Sequence, residues 1–258
     1  MSTGFDRSRI ILNRKRGYAN YFGDYLMRDF ITPAMRARAA QVTAQVWNVP
    51  SVLDQGATPH CVGYAWATYG IAFPVPDAWD NSMGEKIYYA AKVIDGEPGQ
   101  EDGSTTQSGV QAFMQFSQLQ NNSYAFATNL QDIITWVLAN GPVVVGTNWY
   151  NNMFNPSSSG LVTIAPNDTV AGGHEYTVNG VDTIAGLFYL TNSWGTSWAN
   201  GGHFLMDFAT FQRLQTEGGD CCTASEVTGQ PTPTPTPTPT PVPVPPAPGC
   251  SPISKLFR

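Results

Sequence analysis

No stretch of the 258 residues approaches the ~18 consecutive apolar residues of a membrane-spanning helix, so an integral helical membrane protein is excluded. The start, MSTGFDRSRIILNRKRGY, is basic but lacks an apolar core of ~7–15 residues before a small-residue cleavage site, so a standard secretory signal is not expected. Cysteine is scarce. Four in a chain of this length do not make a disulfide scaffold, and each has to be read on its own. Charge is also sparse, at 12% against 42% hydrophobic residues, so the middle of the chain should fold around a real core. Basic residues are few outside the start. Residues 1–40 hold eight of the 13 Lys and Arg against three Asp, while 41–258 hold five bases against 16 acids, a net of −11. The body therefore lacks the basic footprint that nucleic-acid binding needs. The basic arm offers charge for phosphate or an anionic surface; the plainer expectation is a solvated arm or one docked on its own acidic body.

What is present divides the chain into three regions. Residues 1–45 are Arg-rich with scattered aromatics (Tyr18, Tyr21, Phe22, Tyr25, Phe30), and about 46–222 carry nearly all the secondary-structure signal. From near Gly229 the chain enters PTPTPTPTPTPVPVPPAP, with ten of its 20 prolines between Pro231 and Pro248. That segment lacks donors for helix or sheet and reads as a polyproline II spacer, roughly 55 Å long at 3.1 Å per residue. Beyond it, GCSPISKLFR is too short to fold alone and is at most a docking peptide or attachment point.

Within the middle region, Cys61–Phe73, Ser82–Val93, Thr106–Phe116 and Gln131–Ala139 read as helices, the last stopped by Asn140-Gly141-Pro142. Strands follow: PVVVGTNW, HEYTVNGVD, GLFYLTNSW and GHFLMDF, separated by turn residues. Helices first and antiparallel strands after imply an α+β architecture of two segregated lobes, with a site expected between them.

Three segments carry the chemistry: DQGATPHCVGYAWA (54–67), GGHEYTVNGVD (172–182) and TNSWGTSWANGGHFLM (191–206). Cys61 sits at a helix N-terminus, where open N–H groups and the helix dipole stabilise a thiolate. Its base must be His60, His174 or His203. His60 is adjacent in sequence, and neighbours at a helix start do not face one another. His203 lies on an alternating strand that leaves its face open. His174 follows Gly172-Gly173, where a backbone can approach another lobe closely. Asn192, on the next strand, is a candidate acceptor to orient the imidazole. Glu175 is expected to face solvent.

These segments resemble the papain-like cysteine peptidases over roughly residues 46–215. Gln55-Gly56 with Cys61 six residues after the Gln resembles the oxyanion glutamine and nucleophile. His174 before a hydrophobic strand and Gly180 resembles the family histidine, and Asn192-Ser193-Trp194-Gly195-Thr196-Ser197-Trp198 is similar to the asparagine segment. Gly141-Pro142-Val143-Val144-Val145 looks like the strand opening the second lobe, and Asp102-Gly103-Ser104 like the glycine edge that holds a substrate backbone. The resemblance implies a papain-like two-lobe fold: a basic arm at 1–45 as a possible short propeptide and a peptidase domain at 46–222. It divides that domain into a helical lobe about 46–128 and a β lobe about 129–222, followed by a linker at 223–248 and a tail at 249–258. It implies an acyl-enzyme mechanism with Cys61, His174, Asn192 and Gln55, Trp194 shielding the His–Asn bond, Gly103, Ser104, Gly173 and Trp194 bordering the bound substrate, and no metal or cofactor.

The sequence departs from the family in several places. Thr58 stands where many secreted members have a disulfide cysteine, and Val62 where Trp often follows the nucleophile. Cys221, Cys222 and Cys250 lie far from the first lobe, which fits an intracellular reducing compartment or a virion. Vicinal Cys221-Cys222 lack the companions of a metal site. Asn121-Asn122-Ser123 and Asn167-Asp168-Thr169 match glycosylation acceptors but read as chance. Gly103 and Ser104 read equally well as a plain loop, and Trp198 as a core residue. The expected partner is a polypeptide substrate, with a docking partner for the tail left open. The rival readings are a catalytically silent binding or structural module on the same fold, and a thiol amidase or transpeptidase acting on cell-wall peptides.

Overall fold

Residues 5–16, 26–119 and 122–226 are described by the computed structural model. The Pro/Thr-rich spacer beyond 226, the tail with Cys250, and Tyr18, Tyr21, Phe22 and Tyr25 lie outside the described residues. The first elements are α1 (Met27–Phe30), α2 (Pro33–Ala39), β1 (Ala44–Val46), α3 (Cys61–Ile71), α4 (Asn81–Ile94), α5 (Thr106–Phe113) and β2 (Asn122–Phe126). Then come α6 (Leu130–Ala139), β3 (Val143–Tyr150), β4 (Val170–Asp182), β5 (Leu187–Thr191), β6 (His203–Asp207), α7 (Phe208–Thr216) and β7 (Asp220–Glu226).

Two apolar cores underlie two lobes. One is built on α3, α4 and α5 around Val62, Trp66, Ile87 and Phe113; the other lies within the sheet and α6 around Trp149, Tyr176, Phe188 and Phe204. Helix α3 is buried on every side, ten of its 11 residues being inaccessible, which is why CVGYAWATYGI shows no amphipathic stripe. It crosses α4 at close range because Gly63 has no side chain: a Cβ there would lie 2.2 Å from the Gly84 carbonyl oxygen. Side-chain caps start the neighbouring helices, Asp80 on Ser82 N–H, Thr105 on Ser108 N–H and Asn129 on Asp132 N–H.

The antiparallel sheet runs β2-β7-β3-β4-β5-β6, with β1 added against β4. Strand β4 is central, paired to β3 and β5 and packed by α3, whose Ala65 carbonyl accepts a hydrogen bond from Thr177 at 2.9 Å. The helices and strands read from sequence lie where expected within a few residues. Elements α1, α2, α7, β1, β2 and β7 were not foreseen. Strand β7 continues to Glu226, past the residue 222 boundary expected from sequence. The end of the N-terminal region is integral to the β lobe: Met27 and Ile31 are buried in its core, and β1 pairs with β4.

Candidate active site

Cys61 is the first residue of α3 and is fully buried. The residue before it, His60, makes no side-chain cap, so the first-turn N–H groups of this helix stay open for a thiolate or an oxyanion. His60 turns away: its Nε2 is 2.6 Å from Glu101 Oε2 and its ring stacks on Tyr88. His203 is bonded through Nδ1 to Thr191 Oγ1, 2.9 Å away.

His174 lies on β4, and its Nε2 is 2.8 Å from Asn192 Oδ1. That oxygen also accepts the Ser193 backbone N–H at 2.8 Å, which fixes the orientation of the Asn192 amide independently of the histidine. An amide oxygen only accepts, so Nε2 carries the proton and Nδ1 holds the lone pair. Nδ1 is buried without a hydrogen-bond partner. Trp194 stacks on the imidazole at 4.7 Å between ring centroids, and Trp149 meets it edge-on at 5.1 Å. Strand β4 packs on α3, which Cys61 begins, and Cys61 is near enough to the backbone of Glu175, next to His174, for that N–H to favour the thiolate.

Gln55 is buried, and its Oε1 accepts from Ser193 Oγ at 2.7 Å. One of its Nε2 hydrogens goes to Thr58 O at 2.8 Å, leaving the second uncommitted. Ser193 thus sets both flanking side chains, Asn192 through its N–H and Gln55 through its hydroxyl. It went unnoticed in sequence because it sits inside a motif whose neighbours draw attention.

Gly103 and Ser104 belong to a loop pinned by the fully buried Lys92. Its Nζ donates to Glu97 at 2.5 Å, Asp102 at 2.8 Å and the Gly103 carbonyl at 3.0 Å. The Gly103 and Ser104 loop and Gly173 border a space already filled by the chain's own residues 5–16. Phe5 stacks on Trp194, Arg14 N–H donates to Gly173 O at 2.9 Å, and Lys15 N–H donates to Ser104 O at 2.8 Å. The Asn13 backbone lies close enough to Cys61 for its N–H to favour the thiolate. A Cβ on Gly103 would lie 1.5 Å from Asn13 O, so the arm and this loop touch backbone to backbone. The arm's cations meet the acidic body: Lys15 Nζ lies 2.6 Å from Glu97 and 2.9 Å from Asp102, and Arg14 pairs with Asp220.

Burial, with the Glu175 charge, pushes the Cys61 thiol up to about 12, against the N–H groups of Glu175 and Asn13 and the Arg14 cation. Burial pushes His174 down to about 4, against its bond to Asn192. With the arm in place both groups are neutral near pH 7.

The expectation that Glu175 faces solvent is wrong. It is fully buried, with Oε2 accepting from Thr106 at 2.9 Å. Alternation does place it opposite His174, but that face of a central strand is covered by the helical lobe. Trp198 is a core residue, its Nε1 donating to Phe154 O at 3.1 Å. Cys221 and Cys222 are free and buried, and no cluster of metal-ligating side chains occurs among the described residues.

The sequence profile of the papain family of cysteine proteases matches residues 81–228. The chain belongs to that family. Within the papain family, a cysteine protease of Blomia tropicalis is 34% identical over 76 residues, which cover 28% of this chain; the match spans only about a fifth of that relative, 22% of its length. Xylellain, a cysteine protease from Xylella fastidiosa, superposes with a TM-score of 0.67 at 17% identity, over 84% of this chain and 96% of its own. Bromelain from Ananas comosus, solved with the inhibitor E64, superposes with a TM-score of 0.52 at 15% identity, over 71% of this chain and 99% of its own. At these identities the superpositions establish the papain-like α+β fold. The profile match begins at Asn81, so Gln55 and Cys61 lie outside it, whereas His174 and Asn192 lie within.

Proposed function

We propose that this chain is a cysteine peptidase whose nucleophile is Cys61, and that its N-terminal arm holds the site latent. The observation that carries the reading is the His174–Asn192 bond, 2.8 Å long, which leaves a buried, lone-pair-bearing Nδ1 on the strand packed against α3, the helix that Cys61 begins. Once the arm leaves and water enters, Cys61 passes its proton to His174 Nδ1 and the thiolate attacks a peptide carbonyl carbon. The oxyanion takes hydrogen bonds from the second Gln55 Nε2–H and the Cys61 backbone N–H. His174 then returns its proton to the leaving nitrogen as the C–N bond breaks, giving a thioester on Cys61. Water, deprotonated by Nδ1, attacks that thioester, and the returning proton restores the thiol. Asn192 holds the imidazole in the required tautomer, and Trp194 keeps water from the bond.

Latency follows from occupancy and from charge. Residues 13–15 use the backbone positions of Gly173 and Ser104 assigned above to substrate, and burial under the arm keeps thiol and imidazole neutral. An epoxide-type cysteine-peptidase inhibitor, followed by intact mass on the full chain, tests both parts. Lys15→Glu, which sets a carboxylate against Glu97 and Asp102, should take up one adduct much faster than wild type, and Cys61→Ala on that background none. An adduct elsewhere, or none on either cysteine-containing chain, rejects Cys61 as the nucleophile. Equal rapid labelling of both keeps the nucleophile and rejects the latent arm.

A further inference from the structure

The far end of α3, about 15 Å from Cys61 at 1.5 Å per residue, opens onto a groove that the chemistry above does not use. The groove has a volume of about 230 Å³. Tyr69 and Phe113, edge to face with ring centroids 5.3 Å apart, line it together with Pro74, Val75, Leu119 and Pro142. Among the described residues that line it, Asp77 alone is charged, and its carboxylate accepts from Gln118 Nε2 at 2.7 Å. The two loops that supply these side chains also leave large apolar groups in solvent. Phe73 is 42% exposed, Val75 58% and Phe116 38%.

The groove lies where the chain leaves the sheet. Ala224 of β7 is one of its lining residues, and the Ala224 carbonyl accepts from the Tyr69 hydroxyl. Strand β7 ends two residues later at Glu226, which pairs with Asn122 of antiparallel β2. Gln118 and Leu119, in the segment leading into β2, line the groove, so β7 exits at that end. Only Val227-Thr228-Gly229-Gln230 then separates Glu226 from Pro231, a span of at most about 18 Å. The Pro-Thr repeat that follows matches the groove in chemistry. Proline-rich segments dock in aromatic-lined grooves, and their preset φ leaves little conformational entropy to lose. Residues 227–248 carry no charge, which suits a groove whose single carboxylate is already engaged. Pro and Thr alternate, and a polyproline II helix turns once in three residues, so every face offers a proline once in six. The fit therefore does not demand one register. A repeat tethered this closely has an effective concentration on the order of millimolar, so even a weak groove holds it.

We propose that the groove of Tyr69, Pro74, Val75 and Phe113 is an intramolecular docking site for the chain's own Pro-Thr repeat, residues 231–241. Docking folds the start of the spacer back onto the helical lobe, and so shortens the reach at which it presents residues 249–258. The site stands at the opposite end of α3 from Cys61 and does not depend on the peptidase reading.

The test uses the full chain with the photocross-linker p-benzoylphenylalanine placed at Val75 or at Phe116. The same group at Ile184, 81% exposed in the turn between β4 and β5, is the control. Two groove positions guard against one variant failing to fold, which melting temperature reports. After irradiation of a dilute sample, the monomer is isolated and its cross-linked peptides are mapped by mass spectrometry. Val75 and Phe116 should each label residues within 231–241 of the same chain, and Ile184 should not. Replacing the six prolines of 231–241 by serine, at unchanged length, should lower that yield by about fivefold or more. No labelling of the repeat from either groove position, or equal labelling from Ile184, would overturn the proposal. So would an undiminished yield after serine replacement, because the tether alone would then bring the repeat to the groove. A product found only in cross-linked dimers would also overturn it, and would assign the groove to the repeat of a second copy.

Discussion

At the scale of single residues, the site depends on a chain of orientation that starts at one small side chain. Ser193 holds the Asn192 oxygen through its N–H and the Gln55 oxygen through its hydroxyl. Under the proposed mechanism, loss of the base should be more damaging than loss of its orienter. On an arm-loosened background, His174→Ala should remove turnover, whereas Asn192→Ala should leave a measurable fraction. Ser193→Ala should lower kcat by about tenfold, because Gln55 swings away from the oxyanion while Cys61 stays reactive. Steady-state kinetics with epoxide titration checks this ordering: Ser193→Ala must lose kcat but keep its titratable Cys61. His174 and Asn192 were legible in sequence because their spacing and flanking glycines mark them. Glu175 was not, since strand alternation says which residues share a face and nothing about what covers it.

At the scale of elements, the arm and the Gly103 loop meet with no side chain between them. Gly103 has φ +86° and its Cβ position falls on Asn13 O, while Gly96 has φ +77° with nothing within 4 Å. Alanine at either site carries the same left-handed backbone strain, but only at 103 does it strike the arm. Gly103→Ala should therefore speed epoxide labelling of Cys61 in the otherwise unaltered chain, and Gly96→Ala should not. Equal rates would show that the contact does not hold the arm. Sequence patterns brought out α3, α4, α5 and α6 and the strands β3 to β6, whose periodicity or apolar runs are strong. They missed β7, whose DCCTASE has small side chains and weak strand propensity and is a strand because β2 and β3 flank it.

At the scale of the whole molecule, buried titratable groups make stability depend on pH from two directions. Burial lowers His174 to about 4 from its ordinary 6.5, so the unfolded chain binds the extra proton, and stability falls as pH drops from 6.5 towards 4. Half-buried His203, also lowered by burial, adds to the acid side. Glu175 is raised by burial to about 8, against Arg14 and Thr106, so its contribution is present below 4.5 and is lost as pH rises through 8. Asp102 is held at about 2, chiefly by its bonds to Lys92 and Lys15, so those pairs survive the whole acid window above pH 4. Melting temperature should peak between these limbs. In Glu175→Gln the decline between pH 6 and 8.5 should flatten while the acid limb persists; an unchanged alkaline limb would mean that Glu175 is already ionised in the fold.

The sequence by itself determined the chemistry on offer: a cysteine at a helix start, one histidine placed after paired glycines, an asparagine motif and a glutamine six residues before the cysteine. It also determined the charge opposition between a basic start and an acidic body. Those are local properties, written in spacing and composition. Only the tertiary structure decided where that opposition is realised, laying residues 5–16 across the site and Arg14 into a cavity between Asp220 and Glu175. These acids are 45 residues apart in the chain and meet because β7 pairs with β3 and β3 with β4. Such a meeting is set by sheet order, which arises from packing between distant segments and leaves no local pattern to read.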